Sequence, residues 1–418
     1  MSAATNSPVA SEDLLRAISG RQHEIAELTA KLISAPSENP PGDERGAVAV
    51  VRSTLATLAG IDVTIIEPAP RRESLIASAG PRGTRTLLLG AHLDTVPAGA
   101  QWSRDPFGGA TEDGVLYGRG ASDNKGAAAA MTIAFATLVA AGVTAERRIV
   151  LVTNADEEMG GGFGIDSVGD ALEEPIDGAL IGEPSGVREP FESLYVAARG
   201  ALRVSVTTGG TGGHSSLTRE PTSVNAAEEL LPILATLRDR LPALRREHPR
   251  YGPATDLIVV ALAAGSGWGV VPSAARADIE LRVPPGTDRE VLESELRLAL
   301  EGTDAELVPA PGSMGWVAPS EIPENDLLVR SAVSAWRTVL GREPRLGCFP
   351  AGTDAGSLAE HGIPTIPAIG PGTLLRAHRP DEFVAVSELA TAAKLYALTA
   401  LRFLFDDDPG ERNGHDAA

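Results

Sequence analysis

Residues 86–94, TLLLGAHLD, run from a wholly apolar segment into a polar point. An apolar run of this length, closed by a polar turn, reads as a buried strand. Positions i and i+2 of a strand face the same way, so His92 and Asp94 project together from its end. A histidine beside a carboxylate suits a metal site: one ring nitrogen binds the ion, and the carboxylate holds the other and sets the tautomer. Further on stands Asp123, framed by Gly118, Gly120 and Gly126. A fold that buries this strand and brings other ligands to its end is what the rest of the chain must supply.

The flanking sequence alternates. Strands are predicted at 61–67, 74–79, 86–91, 148–153 and 178–182. Helices are predicted at 11–33, divided at Gly20, at 43–59, and from 124 to Gly142 with Ser122 or Asp123 as cap. The Asn39-Pro40-Pro41-Gly42 run reads as punctuation between the first helices. Such alternation predicts an α/β domain with a mostly parallel sheet. Ligands of such sheets bind beyond the carboxyl ends of the strands, and His92, Glu157 and Glu183 all lie there.

From Ala197 the order changes to strand 201–208, helix 221–240, strands 256–263 and 273–283, helix 287–301 and strand 304–308. This is the ferredoxin-like βαββαβ order, closed by Pro309-Ala310-Pro311-Gly312. Residues 197–310 therefore read as an inserted domain, with 1–196 and 311–418 making one catalytic domain. Helices return at 324–340 and 386–405. The ends, 1–10 and 407–418, read as frayed polar tails.

Composition narrows the chemistry. The net charge is −20 over 418 residues, which argues against a nucleic-acid partner. Cys348 is the only cysteine, so a metal would be held by histidine and carboxylates rather than by a thiolate cluster. The N-terminus lacks a basic segment followed by an apolar one, and no uninterrupted apolar stretch is long enough to span a bilayer. A cytoplasmic protein away from the membrane is the expectation.

The candidate ligands His92, Asp123, Glu158, Glu183 and His378 each sit in a glycine- or proline-punctuated turn: GAHLDTVPAG, GRGASDNKG, NADEEMGGG, IGEPSG and GPGTLLRAHRPDEF. Glu157 and Glu158 are adjacent and should hold different tasks, one on metal and one on water. Asp123, Glu158 and Glu183 with one shared hydroxide balance two divalent cations. Nitrogen and oxygen donors without thiolate suit hydrolytic zinc, with cobalt or manganese as alternatives.

In order and spacing these five segments resemble the family of acetylornithine deacetylase, succinyl-diaminopimelate desuccinylase and carboxypeptidase G, from about Leu28 to Phe383. The resemblance implies a zinc-peptidase-like catalytic domain with two zinc ions and an inserted lid and dimerisation domain. It places His92, Asp123 and Glu183 on one ion and Asp123, Glu158 and His378 on the other. It makes Glu157 the general base for a water shared between the ions, and Asp94 the residue that orients His92. His214 of the lid would stabilise the oxyanion in the partner subunit of a homodimer, with Asn225, Arg282 and Gly352 at the substrate. The implied reaction is hydrolysis of the amide bond of an N-acyl amino acid. The alternatives are a carboxypeptidase or dipeptidase with the same site, or a catalytically silent relative that binds such ligands. Glu183 favours the deacylase and carboxypeptidase branch, whereas Asn124 also occurs in the family's dipeptidases.

Overall fold

The strand Thr86–His92 lies inside a six-stranded sheet and is buried along its whole length. The computed structural model describes residues 8–406 apart from 221, 254, 266 and 311–314. The expectations for residues 1–7, for 407–418 and for Pro311-Gly312 lie outside these residues. The chain divides into two compact units. One comprises the residues up to Ala197, Glu321–Phe349 and those from Thr353 onward; the other comprises Ala198–Ser320 and Pro350–Gly352.

The sheet of the first unit has the order Ile61–Ile66, Ser74–Ala79, Arg148–Asn154, Thr86–His92, Gly178–Ile181, Thr365–Ile366. Thr86–His92 runs parallel to both neighbours, and Gly178–Ile181 runs parallel to Thr365–Ile366. The first two strands pair antiparallel with each other, and Ser74–Ala79 is antiparallel to Arg148–Asn154. The sheet is thus mainly parallel with an antiparallel hairpin at one edge. The loop 67–73 is too short for a crossover helix, and a parallel pair would need one.

Apolar side chains cover both faces of this sheet. Leu87, Leu89, Ile149 and Leu151 belong to one buried cluster, and Leu88, Val150, Val152 and Ala179 to another. This accounts for the continuous rather than alternating apolar pattern of the central strands. The helix Lys125–Ala140 is buried along nearly all of its length. Its small residues let it approach the sheet closely: a Cβ on Gly182 would fall 2.7 Å from that of Ala127. That approach joins the helix start to the strand end that carries Glu183. Neither Ser122 nor Asp123 caps this helix. The cap position is Asn124, without a side-chain capping bond; the Asp123 carboxylate faces His92 and His378, and Ser122 Oγ bonds to the Thr373 backbone.

In the second unit the strands order as Asp256–Ala264, Ala274–Val283, Gly200–Gly209, Ala305–Pro309, all antiparallel. The helices Ala226–Arg240 and Arg289–Leu300 complete a βαββαβ chain order. The first strand lies between the third and fourth, which is the ferredoxin-like arrangement. The unit continues past residue 310 because Trp316–Val317 also pairs with Gly200–Gly209. Among the described residues no helix is long and apolar enough to cross a membrane.

Leu89 is fully buried in the central strand. Leu89→Ala should destabilise the first unit by about 2–5 kcal/mol, read as a lower urea midpoint with the metal-site residues intact.

Candidate active site

His92 ends its strand, and Asp123 stands in the turn before the helix Lys125–Ala140. Glu157 and Glu158 follow the strand Arg148–Asn154, and Glu183 follows Gly178–Ile181. His378 comes from the loop before Phe383–Ala385 and has a left-handed backbone, φ 61°. Adjacent parallel strands therefore deliver His92, the glutamate pair and Glu183 to one end of the sheet.

Asp123 divides its carboxylate between two imidazoles. Its Oδ1 lies 3.0 Å from His92 Nε2, and its Oδ2 lies 3.2 Å from His378 Nε2. Each imidazole faces one further carboxylate: Glu183 Oε1 is 3.4 Å from His92 Nε2, and Glu158 Oε2 is 3.1 Å from His378 Nε2. A tetrahedral ion with ligands at about 2.0–2.1 Å sets its donors roughly 3.3 Å apart. The spacing and the nitrogen–oxygen donor set therefore fit two ions that share Asp123. Glu157 Oε2 stands farther off, 3.9 Å from His92 Nε2.

The electrostatics follow from crowding. Burial pulls His92 down, but hydrogen bonds to Asp123, Asp94 and Glu183 outweigh it and hold the ring well above its ordinary value. Hydrogen bonds to Asp123 and Glu158 push His378 up to about 11. Burial raises Glu158 and Glu183, each with Asp123 adding to it. Glu157 is lifted well above the carboxylate range, first by burial and then by the charges of Glu183, Asp354 and Glu158, against the opposing pull of His92.

A model of peptidase family M20/M25/M40 matches residues 88–402, the span that holds every one of these donors. The chain belongs to this family. It is 30% identical over 396 residues to the succinyl-diaminopimelate desuccinylase of Phenylobacterium zucineum (strain HLK1), covering 91% of this chain and 98% of that one. The M20 family metallo-carboxypeptidase Sso-CP2 from Sulfolobus solfataricus superimposes with a TM-score of 0.74 at 20% identity, covering 91% of this chain and 99% of that one. The YXEP protein of Bacillus subtilis, a dinuclear metal binding peptidase of family M20, superimposes with a TM-score of 0.62 at 15% identity, covering 92% and 99%. This M20 chain is a metal-dependent hydrolase acting on amide bonds.

Two supports of the M20 centre escape a motif reading. His92 Nδ1 is 3.0 Å from the Asp94 carbonyl oxygen and 3.4 Å from Asp94 Oδ1, so a proton on Nδ1 leaves Nε2 free to face the other donors. The Asp94 carboxylate also accepts the backbone N–H groups of Glu157 at 3.1 Å and Glu158 at 3.2 Å. It therefore holds the glutamate turn as well as the histidine. Glu382, four residues after His378, carries no motif of its own. Its buried carboxylate accepts from the N–H groups of Gly120, Ser122 and Asp123 and from Arg119 Nη1. The loops of His378 and Asp123 are thereby tied together.

The remaining candidates lie in the second unit. His214 is exposed, and its Nδ1 accepts from the N–H of Ser216. Arg282 Nε donates to Glu280 Oε1 at 2.7 Å. Asn225 caps the helix Ala226–Arg240, accepting from Ala227 N–H and donating to Glu228. A Cβ on Gly352 would fall 2.5 Å from Val317 Cγ1, so this close approach needs glycine.

With His378 pushed up to about 11, an ion held by its ring would displace a proton at neutral pH. Zinc titrations by calorimetry in buffers of differing ionisation enthalpy should show net proton release, with affinity rising with pH. Binding without proton release would contradict the arrangement. The same contacts stabilise the metal-free fold while the ring is charged. That contribution is complete below the unfolded value of about 6.5 and is lost as pH rises through about 11.

Proposed function

We propose that the chain hydrolyses the amide bond of an N-acyl amino acid, with Glu157 as the carboxylate that moves the proton. The observation that carries this is the position of Glu157: beside the shared donor set, 3.9 Å from His92 Nε2, and raised by burial. A carboxylate there is suited to take a proton from the attacking water and return it to the leaving amine. The 30% identity to a succinyl-diaminopimelate desuccinylase supports the N-acyl class.

In this reading His92, Asp123 and Glu183 hold one divalent cation, and Asp123, Glu158 and His378 hold a second. Zinc suits the donor set, with cobalt or manganese as alternatives. The bound ions supply a Lewis acid for the carbonyl and lower the pKa of the attacking water. Asp94 keeps His92 and the glutamate turn in place. His214 stabilises the oxyanion, and Arg282 holds the substrate carboxylate through its Nη edge. Gly352 leaves room for backbone contact with substrate, and Asn225 joins through the second N–H of its amide while keeping its capping bonds. These last four roles rest on the family resemblance. A carboxypeptidase or dipeptidase with the same centre is the second reading, favoured by Asn124, whose Nδ2 donates to Glu183 Oε1 at 2.8 Å.

We also propose that residues 197–310 act as lid and dimerisation domain in a cytoplasmic homodimer. The strand Asp256–Ala264 is a sheet edge in its unit, with Val260 and Leu262 exposed. An exposed apolar edge is suited to pairing with a second copy. The lone Cys348 fits a reducing compartment.

Zinc-loaded enzyme should turn over one class within a panel of N-acetyl, N-succinyl and N-carbamoyl amino acids and dipeptides. Glu157→Gln should lose about 10²- to 10⁴-fold in kcat with metal content unchanged; unchanged turnover would refute the assignment. Leu262→Lys should shift sedimentation towards monomer. A fully active monomer would rule out action of His214 in the partner's site.

A further inference from the structure

The turn Asn39-Pro40-Pro41-Gly42 reads in the sequence as punctuation, and Arg72 carries no motif. The structure joins them beneath the active site. The buried Arg72 guanidinium places Nη1 2.9 Å from Glu44 Oε1, and its Nη2 donates to Asp156 Oδ1. Gly42 makes the seat. Its φ is +81°, and a Cβ there would fall 1.2 Å from Arg72 Nη1, so any side chain at 42 would evict the guanidinium.

From Asp156 the contacts continue to the catalytic turn. Asp156 Oδ1 also accepts from Asn39 Nδ2 at 3.0 Å, and the same amide donates to Asp94 Oδ2 at 2.8 Å. Asp94 in turn accepts the N–H groups of Glu157 and Glu158. Asp156 is itself the bend: its φ of 67° is left-handed, and its Oδ2 takes the N–H of Phe163 at 3.0 Å. This bend lets two consecutive glutamates, leaving one strand, face different partners. A planar guanidinium can bridge Glu44 and Asp156 through separate nitrogens, whereas an ammonium is a single point of charge.

We propose that Arg72 is a positioning residue for the hydrolytic step: seated over Gly42 between Glu44 and Asp156, it holds the turn that aims Glu157 and Glu158 apart. This rests on the reading of Glu157 as the carboxylate that moves the proton. Removing Arg72 alone would leave Glu44 buried and unpaired, which destabilises strongly. The variant that tests the idea is therefore Arg72→Met combined with Glu44→Gln, which removes the guanidinium together with its buried carboxyl partner.

The experiment uses the zinc-loaded full chain and the N-acyl substrate the wild type cleaves best. It measures kcat, KM, zinc content and urea midpoint, with Glu157→Gln and Arg72→Lys beside the double variant. The double variant should fold and keep the wild-type zinc content and KM, while kcat falls about 10- to 100-fold, the scale of a misplaced catalytic group. Arg72→Lys should not restore kcat. A kcat within about twofold of wild type in the folded, zinc-replete double variant would overturn the proposal. So would a loss that excess zinc reverses, which would place the effect on Glu158 as a ligand. Turnover retained in Glu157→Gln would overturn the reading of Glu157 and this proposal with it. Turnover lost there but retained in the double variant would overturn this proposal alone.

Discussion

Asp123 must face two imidazoles at once, and most of the surrounding structure exists to let it. Its two oxygens approach His92 and His378 within 3.0 and 3.2 Å, in a region where Glu157, Glu158 and Glu183 are also buried or nearly so. Carboxylates at that density repel one another, and burial penalises each of them. Dedicated donors offset this. Glu183 receives the Asn124 amide, Glu158 receives the N–H of Val96, and the N–H of Asp123 is itself fixed by Glu382. Among the described residues the Glu157 carboxylate receives no comparable donor, and its backbone is held by Asp94 and by the N–H of Gly160. Its side chain is accordingly the one whose protonation is least committed to structure.

The sheet supplies the convergence. Three parallel strands end at one level, so the residues just beyond them become neighbours although they are far apart in sequence. The helix Lys125–Ala140 is built from small residues where it meets the sheet, and that closeness brings Asn124 to Glu183. Its first lysine is anchored as well: Lys125 Nζ donates to the carbonyls of Leu32 and Ala35 at 2.9 and 2.8 Å. The turn bearing Asp123 is thus tied to the helix Gln22–Ile33 behind it. Here packing and catalytic geometry are the same contacts.

Much of this was legible in the sequence for a definite reason. Donor residues sit in short turns marked by glycine and proline, and buried strands betray themselves by unbroken apolar runs, so Thr86–His92, Arg148–Asn154 and the centre beyond them could be read directly. The ferredoxin-like order of the second unit was equally readable, because its strands and helices have clear periodicity. Partnerships over long separations were not. Nothing local marks Glu382 as the acceptor for the N–H groups around Asp123, or Arg72 as the link between Glu44 and Asp156. The strand spacing marks Asp94 as the partner of His92, but its grip on the N–H groups of Glu157 and Glu158 depends on a backbone bend at Asp156 that has no sequence signature. The antiparallel hairpin at residues 61–79 was likewise hidden, since strand direction is set by loop length and neighbour choice rather than by the strands themselves.

The most direct test of the shared carboxylate is anomalous diffraction from crystals of the zinc-loaded chain. The account predicts two zinc peaks, about 3.5–4 Å apart, with one oxygen of Asp123 on each, His92 and Glu183 on the first, and His378 and Glu158 on the second. A single peak, or two ions of which only one touches Asp123, would contradict it.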